Sequence, residues 1–231
     1  QYDFSARSSF FFWFFTILSY CVWTFNWTNS RFSLGRENYL TSLPSLPLRL
    51  QKLMVDKNRI SSLLGLKDAP NVYEIHASYN NISIFPPVGP RTYDVRLTNN
   101  SLVEIGNTEN VLYLAVGGNQ IKKVSKDSEV QYLNIPNNQL VDFPKWNSLV
   151  QLDVRGNALA SMPDLAVQDI WVHGNPLCSN GWTPPSSMKA AMDKPGQGCA
   201  KQCSRTCLDV YVGDGVCFLE CISCSGEEGD C

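Results

Sequence analysis

Apolar and polar positions along residues 50 to 177 follow one recurring template. An apolar residue is followed at three and five positions by two more, at eight by Asn, and at ten and thirteen by further apolar residues. Leu50, Leu53, Val55, Asn58, Ile60 and Leu63 make the first copy, and Val72, Ile75, Ala77, Asn80, Ile82 and Phe85 the second. Later copies place their asparagines at Asn100, Asn119, Asn138, Asn157 and Asn175, the last copy being truncated after Leu177. A degenerate copy leads in at Asn38, Leu40 and Leu43. Side chains alternate along a strand, so offsets three and five share one side and predict a short strand with that side in a core. The Asn at offset eight falls where the chain leaves the strand. Its carboxamide both donates and accepts, which suits it to pair buried backbone groups in a ladder of stacked asparagines.

Repeats of this length cannot each bury an apolar face alone, so stacked copies must share a continuous core. Pro follows the last apolar position at Pro44, Pro86, Pro144 and Pro163, which predicts extended return segments in place of long helices. The pattern over residues 40–177 resembles the leucine-rich-repeat family, at the short end of its period. The stretch from Leu40 to Pro47 is also similar to the short repeats of secreted bacterial effectors, in repeat geometry alone. The resemblance implies an α/β-type leucine-rich-repeat solenoid, mostly parallel β, with an extended or 3-10 convex side.

Offsets two, four, six and seven then form the solvent side of the strands. Tyr113, Tyr132 and Trp171 read as an aromatic strip down that face, with Arg155 and His173 beside them as candidate contacts for a protein or glycan partner. Cross-strand pairing that merely stabilises the sheet is the competing reading. Ala115, Gly117 and Gly118 predict a dip in the middle, which either admits a partner or reflects a loose repeat. His76 and His173 lie far apart without Ser or Cys partners, and are expected as surface polar residues. No phosphate-cradling glycine loop or His-Glu-x-x-His motif occurs, so no catalytic residue is expected and the chain is read as a non-enzyme.

Composition adds a compartment. Eight of the nine cysteines lie between Cys178 and Cys231, beside acidic residues and in a protein with two histidines, which favours disulfides over zinc. Sequons at Asn26, Asn81 and Asn99 agree with a secretory, extracellular location. A glycan on Asn99 would lie on the candidate face and push a ligand toward the later repeats. The formal charge of -2 offers no basic excess for nucleic acid.

Residues 178–199 are expected to form a C-terminal cap closed by Cys178 and Cys199, with Trp182 and Met188 as lid residues, because a terminal repeat needs a cover. Over residues 200–231 the cysteine spacing, with Gly213-Asp214-Gly215-Val216 and Glu227-Glu228-Gly229-Asp230, resembles the small cysteine-rich repeat of Notch-type receptors. That resemblance implies disulfides Cys203–Cys224, Cys207–Cys221 and Cys217–Cys231, and a calcium ion held by Asp214, Glu227 and Asp230. Phe218 and Ile222 depart from the family's acidic and amide positions, and a disulfide knot with an acidic rim is the alternative.

Residues 1–39 form an aromatic, apolar amino-terminal segment, uncharged from Phe10 to Phe25. Three readings stand: membrane attachment through residues 8–27, a cap over the first repeat, or a retained signal segment. Cys21 is read as a buried thiol.

Overall fold

The computed structural model describes residues 32–34, 36–125, 130–194 and 196–199. Residues 1–31, with Asn26 and Cys21, and the module from 200 to 231 with its calcium and disulfide assignments, lie outside the described residues.

Among the described residues, eight three-residue strands stand in sequence order in one parallel sheet: β1 (Phe32–Leu34), β2 (Lys52–Met54), β3 (Glu74–His76), β4 (Asp94–Arg96), β5 (Tyr113–Ala115), β6 (Tyr132–Asn134), β7 (Gln151–Asp153) and β8 (Asp169–Trp171). Their register matches the template: Leu53, Ile75, Val95, Leu114, Leu133, Leu152 and Ile170 lie one above another, all buried. β1 supplies the strand of the degenerate copy, so among the described residues the sheet reaches back to Phe32, inside the segment read from sequence as 1–39. Returns between strands are extended, with one 3-10 turn at Leu64–Asp68. The parallel solenoid with a thin convex side is therefore the fold.

Each ladder asparagine is buried and does the same work. The Asn119 Nδ2 donates to the carbonyls of Leu97 and Val116, one from each of two coils, and its Oδ1 accepts from the Leu102 N–H at 3.0 Å. The same exchange recurs from Asn80 through Asn157, so neighbouring coils are stitched at every step.

The residue before each ladder Asn is left-handed, including Lys57, Tyr79, Asn99 and Asn137 as well as three glycines. At Gly118 and Gly156 this conformation coincides with close packing. A Cβ on Gly118 would collide with the Asn99 Oδ1, and one on Gly156 with the Asn137 Oδ1. Gly118→Ala is expected to cost about 2 kcal/mol, combining left-handed strain with displacement of Asn99. Chemical denaturation tests this, and an unchanged midpoint would contradict it.

The C-terminal end is closed by a cap. The helix α1 (Ser186–Met192) turns buried Met188 and Ala191 onto the last coil, and Trp182 packs half-buried beside them. Gly198 then pairs in parallel with Trp171, donating to the Ile170 carbonyl and accepting from the Val172 N–H. The Gln197 side chain accepts from the Ile170 N–H and donates to Asp169. The Cys178–Cys199 disulfide anchors this strand-like segment to the coil beneath it.

Candidate recognition face

The concave side of the sheet has two columns of strand side chains. One runs Lys52, Glu74, Asp94, Tyr113, Tyr132, Gln151, Asp169; the other runs Met54, His76, Arg96, Ala115, Asn134, Asp153, Trp171. Tyr113 and Tyr132 are immediate neighbours in the first column. Trp171 stands in the second, two rungs beyond Tyr132, so the three aromatics do not form one continuous strip. Trp171 instead shares its end of the face with Arg155 on the preceding coil and His173, two residues further along the chain.

The amino-terminal half is a network of closed ion pairs. Lys52 pairs with Glu74 at 2.8 Å, and the Tyr93 hydroxyl donates to the same carboxylate. Arg36 pairs with Asp56 at 2.9 Å and reaches the His76 Nδ1 at 3.3 Å. Arg96 forks onto Asp94 through Nε and Nη2 at 3.1 and 3.0 Å, its guanidinium 4.9 Å from the centre of the Tyr113 ring. Burial pushes the Asp94 carboxyl up, but contacts with His76 and Arg96 hold it below the ordinary aspartate value. The imidazole stands 3.7 Å from the carboxylate, so the direct bonds are those of the Arg96 fork. His76 is consequently buried, not a surface residue: Arg36 closes over it from two coils earlier while Asp94 and Arg96 flank it from the next.

A second fork joins Arg155 to Asp153 at 2.9 and 2.7 Å. Both forks arise from the same tripeptide, Asp94-Val95-Arg96 and Asp153-Val154-Arg155, whose outer residues point the same way along an extended chain. That spacing was the sequence signal for these pairs. A further apolar edge comes from offset one: Tyr73 stacks on Tyr93 at 5.7 Å, and Leu112 follows, 44% exposed. Its sequence signal was an aromatic or apolar residue directly after Val72, Thr92 and Val111.

The expected dip is filled. Ala115 is only 6% exposed, Gly117 is buried against the Pro136 ring, and Asn99 lies over Gly118. These small residues admit neighbouring side chains, which explains them without either an open pocket or a loose repeat.

Near the cap, burial and then the Arg155 cation hold the His173 imidazole below the ordinary histidine value, against the opposing pull of Asp153. Its Nδ1 is buried with no hydrogen-bond partner among the described residues. A depressed histidine contributes stability that is present above its unfolded value and lost as pH falls toward its folded value. His173→Gln should therefore flatten the fall in thermal midpoint between about pH 7 and pH 5. A profile superimposable on that of the parent would refute this assignment.

Of the two described sequons, Asn81 is exposed just beyond the ladder and away from the concave columns, with Ser83 also exposed. Asn99 is exposed on the concave rim. Among the described residues no group of three or more His, Cys, Asp or Glu is placed to hold a metal, and no helix is long and apolar enough to cross a membrane.

No family model matches the sequence, and no curated protein matches it. Among solved structures, YopM from Yersinia enterocolitica is similar at 27% identity with a TM-score of 0.57, covering 62% of this chain and 33% of its own. A leucine-rich-repeat protein of Leptospira interrogans is similar at 22% identity with a TM-score of 0.52, covering 60% of this chain and 41% of its own. The chain thus spans less than half the length of either. The solenoid has the leucine-rich-repeat fold.

Proposed function

We propose that the chain is a recognition module of the cell surface or extracellular space, binding a protein or glycan partner on the concave face of its solenoid. The observation that carries this reading is the division of labour within each coil. Core and ladder positions hold the fold, while the outward positions of β2 to β8 vary from coil to coil and present Tyr132, Asn134, Arg155 and Trp171 on a rigid sheet. Binding residues on such a scaffold are pre-organised, which lowers the ordering cost of association. The cap disulfide and the exposed sequon at Asn81 support an oxidising compartment. Membrane attachment through residues 8–27, and calcium on Asp214, Glu227 and Asp230, belong to this proposal as accompanying features.

A second reading, that of a structural subunit, is favoured by a different surface. An apolar groove of about 350 Å³ lies on the return side, lined by Leu64, Phe85, Pro86, Pro87, Val88, Gly106 and Asn107. Ile84 and Val103 are exposed nearby along the returns.

Peptide-display and glycan-array selections against the parent, Trp171→Ala and Val103→Arg proteins separate the two. The recognition reading expects enriched ligands to be lost with Trp171→Ala and kept with Val103→Arg. The reverse pattern would replace it with the assembly reading.

A further inference from the structure

Between the two Arg–Asp forks the concave face carries no charge. The outward residues of β5 and β6 and of the turns after them are Tyr113, Ala115, Gly117, Gly118, Tyr132, Asn134, Pro136 and Asn137. On one side Asp94 neutralises Arg96, and on the other Asp153 neutralises Arg155. A charged ligand would find no opposite charge left for it within this band.

The band is nonetheless rich in hydrogen-bonding capacity. Asn137 is exposed and Asn134 half-exposed, and their carboxamides hold no hydrogen bond among the described residues. Each supplies two donors and one acceptor oxygen. Asn137 sits at a left-handed position and packs against Gly156, which restricts its rotamers before any ligand arrives. Beside them the Tyr132 ring is 38% exposed, with Tyr113 on the adjoining rung.

We propose that this band binds a neutral oligosaccharide laid across the rungs. A pyranose ring has an apolar C–H face for an aromatic ring and hydroxyls that both donate and accept, without net charge. Rungs about 4.8 Å apart are also close to the length of one hexose unit, so successive sugars meet successive coils. Size points the same way. A tyrosine side chain buries at most about 150–250 Å², so the 38% exposed Tyr132 offers on the order of 100 Å². A stable protein interface needs roughly 800 Å² from each partner, whereas a short saccharide does not.

This proposal rests on the recognition reading, and its test separates the two. The full chain is titrated by calorimetry with short cello-, laminari- and chito-oligosaccharides, a sulfated oligosaccharide, and an uncharged Gly/Ser/Tyr peptide. At least one neutral sugar is expected to bind, with the same affinity at low and high salt. Tyr132→Ala, and Asn137→Gly, which keeps the left-handed backbone, should each weaken it about tenfold. Val103→Ser on the return side should leave it unchanged, and thermal unfolding verifies that every variant is folded. Absence of neutral-sugar binding at millimolar concentration overturns the proposal, as does tighter, salt-dependent binding of the sulfated sugar. Binding of the peptide alone, lost with Tyr132→Ala, overturns the saccharide while leaving recognition intact.

Discussion

Replacing Asn119 by Ala is expected to lower the stability of the solenoid by about 3–4 kcal/mol while leaving the core apolar groups in place. The Leu97 and Val116 carbonyls would keep a second donor, from Asn100 and Asn138 respectively. The Leu102 N–H loses its Oδ1 acceptor at 3.0 Å and is left buried. An orphaned buried donor alone costs about 1–3 kcal/mol, and the broken bonds add to it. Asn119→Asp should be at least as damaging at neutral pH, because it turns a carboxylate oxygen toward the carbonyls that the Nδ2 now serves. Partial recovery is expected in acid, where the protonated carboxyl again offers a donor. Urea unfolding of both variants provides the measurement. A loss below about 1 kcal/mol for Asn119→Ala would show that the ladder is not a principal source of coupling between coils.

Removing the cap disulfide by Cys178→Ser with Cys199→Ser is expected to cost about 3 kcal/mol, from the chain entropy released when a loop of this size is opened. The two cysteines are 21 positions apart. Repeat proteins couple mainly to nearest neighbours, so the loss should begin at the capped end. Protection against hydrogen exchange should fall first at the Ile170 and Val172 amides, which bond Gln197 and Gly198. The Leu114 and Leu133 amides, in mid-stack, should change little. Uniform loss along the sheet would mean that the cap sets the stability of the whole stack as one cooperative unit.

The spacing of Leu53, Val55, Asn58 and their equivalents was enough to place every strand from β2 to β8, because periodic alternation and a buried hydrogen-bonding side chain act within one coil and its immediate neighbours. The first strand was less legible. Phe32–Leu34 belongs to a copy with Ser33 and Gly35 where apolar residues stand in later copies, so only Asn38, Leu40 and Leu43 marked it. The cap was legible in outline from Cys178, Cys199, Trp182 and Met188. Its ninth, strand-like rung through Gly198 was not, since a single bridged glycine leaves no periodic trace.

The candidate face divides similarly. Which residues point outward follows from the template alone, and so does the adjacency of Tyr113 and Tyr132. Their exposure does not. Whether His76 is open or covered depends on Arg36 reaching across from another coil, and whether Ala115 forms a hollow depends on the packing of side chains from adjacent coils. The sequence by itself determined the solenoid, its register and the asparagine ladder, because these repeat the same short-range interactions in every coil. Only the tertiary structure decided which outward groups remain available to a partner. Long side chains settle that across coils, by ion pairs and packing among residues roughly 20 to 40 positions apart, and such contacts have no period to read.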